Sequence, residues 1–404
     1  MLMAGSPAAR AARWPLGFAA LVLAYWSFDY SVASNMRRAN PEAAYRARPT
    51  DPGAVAAAMN DRMVVRNQFE AGADDAANAR AGLRQDPLNR VLLRTLGVHE
   101  EISRRQPEAL KAMQMASRVS RRDSITELWL AEYHRRNAAP ARALVHYDAA
   151  MLVRPDLQKA LFPQMTTALA QPDFRAAVRP YIARKASWAV PFVGTAAQAD
   201  IDNVVALVEP VANRMAAPGY EPAFAQILYR LMVRGDGARA LALAPKVFSA
   251  FDAKAFAAPG WNSTTTDSRF GSLAWSFEQT GDLNASLEDG RTLAVMVNPL
   301  ASGRFAARDI PVTPGTVYQL RHTIDYGQSS AQAQVRWTAA CVGEQSAPVF
   351  WQGDVPLARG RTQYSAALAT PASCTLLRLT ANAIGADAQI PSEFSISQLQ
   401  LTPN

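Results

Sequence analysis

The chain has 404 residues with a formal net charge of +8, and 49% of its residues are hydrophobic while 19% are charged. This length exceeds one ordinary core and predicts two or three folding units, and the composition excludes a largely disordered protein. Arginine supplies all but five of the 42 basic residues, and these residues are dispersed rather than gathered into a basic stripe with interleaved aromatic rings. The sequence therefore argues against a nucleic-acid partner.

The first predicted element is an apolar segment near the N-terminus. Residues 1–14 form a basic segment, and residues 15–34 are predicted to be a transmembrane anchor, because Leu16–Phe28 contains no charge. A cleaved signal peptide is the alternative, since small residues at 31–33 offer a cleavage site. The anchor predicts a single-pass inner-membrane protein with its bulk in the periplasm of a Gram-negative bacterium, and cleavage predicts a periplasmic or secreted protein. The positive-inside rule opposes this orientation, because four arginines follow the segment, at positions 37, 38, 46 and 48.

The next part of the chain, residues 50–258, is predicted to be helical, and its first half has a period of 34 residues. Small residues at a fixed position let two helices of a hairpin approach closely, and a large residue fills the gap to the next pair. Positions related by 34 residues are Gly82, Ala116 and Ala150; Leu96 and Leu130; Ala109 and Ala143; and Met113 and Tyr147.

Over about residues 56–157 this pattern resembles the tetratricopeptide repeat, a 34-residue helix–turn–helix that stacks into a solenoid. Repeats that start at Arg90 and Ser124 place small residues where the family has them. Two family positions differ, because the usual tryptophan is Leu93 or Glu127 and the usual tyrosine is Glu100 or His134.

The segment His146-Tyr147-Asp148 contains three side chains capable of acid–base chemistry. Adjacent positions on a helix point about 100° apart, so the three cannot converge on one substrate. Tyr147 falls on the packing position of a repeat. We therefore predict a structural role for this segment, with His134 on the preceding helix close to His146.

The resemblance implies a concave face, lined by the first helix of each repeat, that binds a protein partner. Carried over position by position, that face includes Arg94, Arg135 and Arg136, whose guanidinium groups could clamp a carboxylate. The alternative is an ordinary solvated helix face in an arginine-rich protein.

From residue 260 to 404 the hydrophobic period changes from 3.6 to 2, and eight or nine short strands alternate with turn signals. This pattern predicts an antiparallel β-sandwich, so that the whole chain is a multidomain α plus β protein. The segment "VTPGTVYQL" and the closing strand "FSISQLQL" resemble the galactose-binding type of jelly roll. That resemblance implies carbohydrate binding through exposed rings, for which Trp261 and Trp351 are the candidates near loops, although a buried role is the alternative for each.

The two cysteines, Cys341 and Cys374, both lie in this β part. Their confinement to one β-rich region predicts a structural disulfide, and two unrelated buried thiols are the alternative. Their spacing fits neither a redox motif nor a zinc knuckle, so no metal is predicted.

No nucleophile–base pair, cofactor loop or metal set is visible, which predicts a protein that is not an enzyme and has no cofactor. The main hypothesis is a membrane-tethered scaffold or adaptor whose solenoid binds a protein partner. Its layout resembles components of bacterial cell-surface polysaccharide assembly or export. The alternative hypothesis is a carbohydrate-binding accessory protein that acts through its jelly roll.

Overall fold

The structure is a computed structural model that describes residues 13–216, 219–249, 251–327, 333–343 and 348–404. It contains two compact units, Met1–Gln158 and Lys159–Asn404. The predicted boundary at residues 258–260 lies between the last α-helix, which ends at Ala257, and the first strand, which begins at Ser276, whereas the division into compact units falls earlier. The helices after Gln158 therefore belong to the same unit as the strands.

The first unit is helical. Asn40 and Asp51 each precede a short helix that begins with proline, and their side chains accept hydrogen bonds from the first turn, which is a stable way to start a helix. The helices are α1 (Arg13–Ala39), α2 (Pro41–Ala47), α3 (Pro52–Asn60) with a π-helical turn (Asp61–Val65), α4 (Ala73–Gln85), α5 (Arg90–Ile102), α6 (Gln106–Val119), α7 (Ser124–Arg136) and α8 (Pro140–Val153), followed by a 3-10 turn (Pro155–Leu157).

The 34-residue period is present in the helix positions themselves. Helices α5 and α7 begin 34 residues apart, and so do α6 and α8. In the α5–α6 hairpin, a Cβ added to Gly97 would lie 2.8 Å from Cγ of Met113, which is closer than such atoms approach in proteins. Ala116 and Ala150 are completely buried. Small residues therefore allow close packing of these helices, as the period predicts.

Helix α1 spans the predicted anchor, but within the described residues no helix combines the length and the apolar character that are needed to cross a membrane. Asp29 interrupts the apolar run, and Arg37 and Arg38 lie in the last turn of the helix. The predicted single-pass inner-membrane location is therefore wrong. Of the predicted basic segment 1–14, residues 1–12 lie outside the described part of the chain.

The second unit begins with further helices, several of which are capped by arginine. Arg179 donates to the carbonyl oxygen of Ala206, and Arg230 donates to that of Ala197, so part of the arginine surplus stabilises helix ends. The helices are α9 (Gln158–Ala168), α10 (Pro172–Ala183), α11 (Ala189–Ala196), α12 (Ile201–Val208) with a 3-10 turn (Glu209–Arg214), α13 (Glu221–Val233), α14 (Gly237–Val247), α15 (Ala253–Ala257) and a 3-10 turn (Ser268–Leu273).

The strands form an antiparallel β-sandwich with a jelly-roll arrangement, which confirms the predicted fold class. The first sheet has the order β1-β4-β9-β6-β7 and the second sheet the order β2-β3-β10-β5-β8. Alternate residues of both sheets fill one core, which includes Phe305, Trp337 and Ile396. The strands are β1 (Ser276–Phe277), β2 (Leu283–Glu288), β3 (Thr292–Val297), β4 (Ser302–Pro311), β5 (Val317–Tyr326), β6 (Gln334–Cys341), β7 (Val349–Pro356), β8 (Gly360–Ala369), β9 (Leu376–Ile384) and β10 (Ser392–Pro403).

Helices and loops of this unit cover part of the outer face of the first sheet. Arg308 on β4 is buried and donates hydrogen bonds to the carbonyl oxygens of Phe256, Ala258 and Leu273. On the neighbouring strand edge, Oγ1 of Thr375 donates to the carbonyl oxygen at the end of α13, over 3.0 Å. The sandwich is therefore joined to the preceding helices by buried polar contacts.

Cys341, at the end of β6, and Cys374, just before β9, form a disulfide with their Cα atoms 5.4 Å apart. In the described residues no cysteine is free.

Candidate functional site

The outer face of the second sheet is polar and exposed. Strand alternation points Leu293, Val295 and their neighbours into the core, and places every second residue on the outside. The strand register then aligns residues from four strands: Ser286 is opposite Ala294, Ala294 is opposite Ser395, and Ser395 is opposite Asp325.

An open cleft of about 490 Å³ lies on this face, and we call it the carboxylate cleft. Its lining offers hydroxyl, amide and carboxylate groups together with apolar surface, part of which comes from Met296. The exposed carboxylates of Glu288, Asp325 and Glu393 have no cationic partner within the described residues. The polar side chains of the lining are Asn284, Ser286, Glu288, Asp325, Glu393 and Ser395.

A second cleft of about 330 Å³ lies on the same face, and we call it the Arg321 cleft. It adjoins an irregularity in β10, where two residues, Gln398 and Leu399, stand opposite the single residue His322 of β5. Gln398 has a positive φ of 56°, and its side-chain oxygen accepts a hydrogen bond from Oγ1 of Thr323. Such a bulge bends a strand and redirects its side chains. The lining is Arg321, His322, Thr323, Gln363, Tyr364, Ser365, Gln398 and Gln400.

His322 is the buried titratable group of this region. Its ring lies 5.3 Å from that of Trp337 and 5.1 Å from that of Tyr364, and only 2% of the residue is exposed. Neither ring nitrogen has a hydrogen-bond partner in the part of the chain described. Burial lowers the pKa of His322 to about 4, so that the imidazole is neutral at neutral pH.

The two rings predicted as carbohydrate ligands lie elsewhere. Trp261 is buried, with its ring 4.7 Å from that of Trp275, so the prediction that it could bind a sugar is wrong. Trp351 is half-buried on β7 of the first sheet, where it packs against the core. Neither residue lines the carboxylate cleft or the Arg321 cleft.

The three arginines predicted to line a concave binding face differ in their surroundings. Arg94 is 1% exposed; its Nη1 lies 2.5 Å from Oδ1 of Asp123 and its Nη2 3.2 Å from Oδ1 of Asn60. The prediction that Arg94 contacts a partner is therefore wrong, because its charge is already paired inside the unit. Arg135 and Arg136 are exposed, but both form ion pairs with Glu132.

The histidine-containing segment is part of a buried network rather than a catalytic triad. Glu127 is completely buried; one of its oxygens accepts a hydrogen bond from Ser117 and the other lies 2.6 Å from Nδ1 of His146. The ring of His134 stacks on that of His146 at 5.5 Å, and burial, together with the neighbouring imidazole, lowers the pKa of His134. Tyr147 is buried between helices. In the described ranges, no group of three His, Cys, Asp or Glu side chains could hold a metal ion.

Sequence reasoning missed both clefts. Alternation in "LNASLE" and "FSISQLQL" does place polar side chains on one face, and that signal identifies the exposed face of the second sheet. The alternation does not reveal the Arg321 cleft, because the bulge beside that cleft arises from the pairing of β10 with β5.

No protein-family model matches the chain, and no curated protein is significantly similar to it. Among solved structures, parts of the chain are similar in fold to three carbohydrate-binding modules. The first is described as "CBM4 structure and function". It is 10% identical with a TM-score of 0.25, and the match covers 32% of this chain and 86% of that chain. The second, the family 16 carbohydrate-binding module-2, is 9% identical with a TM-score of 0.22, and the match covers 30% of this chain and 84% of that chain. The third is the N-terminal cellulose-binding domain of β-1,4-glucanase C from Cellulomonas fimi. It is 14% identical with a TM-score of 0.26, and the match covers 33% of this chain and 91% of that chain.

Proposed function

We propose that this protein binds carbohydrate on the outer face of the second sheet, at the carboxylate cleft. The observation that carries the proposal is the cleft itself, an open recess of about 490 Å³ that is lined by four adjacent strands, three of which supply its polar side chains. The first sheet has part of its outer face covered by the preceding helices and loops, whereas Asn284, Ser286 and Glu393 on the second sheet are exposed.

The chemistry of the lining matches that of a sugar. A pyranose ring presents several hydroxyl groups, each of which donates one hydrogen bond and accepts others. Carboxylates of Glu288, Asp325 and Glu393 accept from such hydroxyls, and the amide of Asn284 and the hydroxyls of Ser286 and Ser395 can both donate and accept. Hydrogen bonds to charged acceptors are the stronger ones. A rigid sheet holds these groups at fixed spacing, so little ordering is required on binding.

The cleft differs from a stacking site in one respect. Phe394 contributes the aromatic residue of the lining, and it is buried, with 5% exposed. Binding therefore relies on hydrogen bonds, which are individually modest because water competes for the same groups. We expect moderate affinity and a strong dependence on the arrangement of hydroxyls.

The test is binding of the full chain to a glycan array, followed by calorimetry on the glycans that bind. Asp325→Asn and Glu393→Gln each replace a charged acceptor by a neutral amide of the same shape, and each should weaken binding by about tenfold. Asp387→Asn is the matched control, because Asp387 is exposed and lies outside both clefts. An array without bound glycan, or equal weakening in the control, would overturn the proposal.

The hypothesis of a protein-binding scaffold has weaker support. At its predicted site, Arg94 is buried in an ion pair and is not accessible to a partner, and Arg135 and Arg136 already form ion pairs with glutamates. A role in polysaccharide assembly or export, and the absence of enzymatic activity, stay predictions from the sequence.

A further inference from the structure

We infer that the Arg321 cleft binds the carboxylate of an acidic sugar, and that the bound chain carries such sugars at intervals rather than at every position. The inference rests on the proposed function and names the ligand class more closely. Arg321 is exposed at the cleft and has neither an ion pair nor a side-chain hydrogen bond in the described residues. Many other arginines of the protein are paired with a carboxylate or a carbonyl oxygen.

The neighbours of Arg321 suit an acidic sugar. Arg321 is opposite Gln400 on β10 and opposite Ser365 on β8, so an amide and a hydroxyl flank the guanidinium on its two sides. The planar guanidinium donates two parallel hydrogen bonds to a carboxylate. Amide groups of Gln363 and Gln398 add donors and acceptors for the hydroxyls of the same ring.

The other described residues that line the Arg321 cleft carry no charge at neutral pH. His322 lines it and is neutral at neutral pH, because burial lowers its pKa to about 4. Its two ring nitrogens have no partner among the described residues. Among the described residues, the lining also contains no aspartate or glutamate. A ligand carboxylate would therefore meet one cation and several neutral polar groups.

The spacing of the charges along β5 limits how often the chain can be acidic. Asp325 lies on the same face as Arg321, four residues along the strand, which is about 13 Å, or roughly two to three sugar units. Beside Asp325, the carboxylate cleft presents Glu288 and Glu393 without paired cations. A sugar acid bound there would be repelled, since like charges at short range destabilise a complex. A polymer with a uronate on every residue therefore fits poorly, and one with an isolated uronate in each repeat fits both clefts.

A matched control for Arg321 exists on the neighbouring strand. Arg361 on β8 is exposed, has no ion pair among the described residues, and is opposite Asp325 in the register. It lines neither cleft. Arg321→Gln and Arg361→Gln therefore remove the same charge from the same sheet, and only the first removes it from the cleft.

The experiment uses the full chain and a panel of bacterial exopolysaccharide fragments that contain one glucuronate per repeat. Each fragment is also tested after chemical reduction of its carboxyl group, and polygalacturonate fragments serve as the fully acidic polymer. We expect at least about tenfold tighter binding of acidic fragments than of their reduced forms, loss of that difference in Arg321→Gln, and its retention in Arg361→Gln. Polygalacturonate should bind more weakly than the best fragment.

The outcomes separate this inference from the proposal on which it rests. Equal binding of acidic and reduced fragments, a preference that survives Arg321→Gln, or tight binding of polygalacturonate would overturn the inference and leave carbohydrate binding standing. Complete lack of glycan binding by the wild-type protein would overturn both. Far-UV circular dichroism of each variant checks that the sheet is retained.

Discussion

Replacing Arg94 by methionine should lower the stability of the helical unit by about 3–5 kcal/mol, because the substitution leaves Asp123 buried without its cation. Arg94 is 1% exposed and Asp123 is 5% exposed, and their nearest N and O atoms are 2.5 Å apart. With charge centres near 4 Å and an effective dielectric constant of about 20, their attraction is about 4 kcal/mol. After the substitution, Asp123 keeps one side-chain donor, Oγ1 of Thr126 at 3.0 Å.

Urea unfolding that is monitored by hydrogen exchange of peptides from α5 and α7 measures this change in stability within the helical unit. Arg90→Met, on an exposed position one turn earlier, should change stability by less than about 0.5 kcal/mol. The double variant Arg94→Met/Asp123→Asn removes both charges and should regain at least about 2 kcal/mol relative to the single variant. A single variant within about 1 kcal/mol of wild type, or a double variant as unstable as the single one, would refute this reasoning.

Three further predictions concern the sandwich. Replacing Cys341 and Cys374 by serine opens a loop with a sequence separation of 33 and should lower the free energy of unfolding by about 4 kcal/mol in urea titrations; a loss below about 1 kcal/mol would contradict this. The folded state holds the pKa of His322 at about 4, below its ordinary value near 6.5. Protonation of His322 therefore does not reduce the free energy of unfolding at a pH above 6.5. The free energy of unfolding should fall by about 3 kcal/mol as the pH drops from 6.5 towards 4, and the difference from a His322→Leu variant should follow that range; a pH-independent difference would show that the imidazole does not titrate there. Arg308→Met leaves three carbonyl oxygens without their donor and should destabilise by about 3 kcal/mol, whereas Arg304→Met on the exposed part of the same strand should change thermal stability little; similar melting temperatures for the two variants would contradict the assigned contacts.

Local patterns in the sequence predicted the elements well. The repeat starts at Arg90 and Ser124 coincide with the first residues of α5 and α7. Alternation predicted the strands of the sandwich, including the one around Trp337. These features depend on neighbours within a few residues, and a periodic pattern contains that information.

The site depends on contacts between distant residues, and the sequence did not reveal these. Arg94 is buried because Asp123 and Asn60, each about 30 residues away, pair with it. Trp261 packs in the core because Trp275 lies beside it. The departures of Glu127 and His134 from the repeat pattern have a similar origin, since both belong to the network around His146.

The irregular pairing of β10 also bears on how the Arg321 cleft could have arisen. Ser397 is opposite Thr323 and Gln400 is opposite Arg321, so β10 holds one residue more than β5 needs between these pairs. Loss of Gln398 alone would leave Ser397 and Gln400 outside and Leu399 in the core, with the inside–outside parity of the strand intact. A single codon thus separates a flat sheet from an indented one, and a lineage could gain or lose this recess without rebuilding the surrounding core.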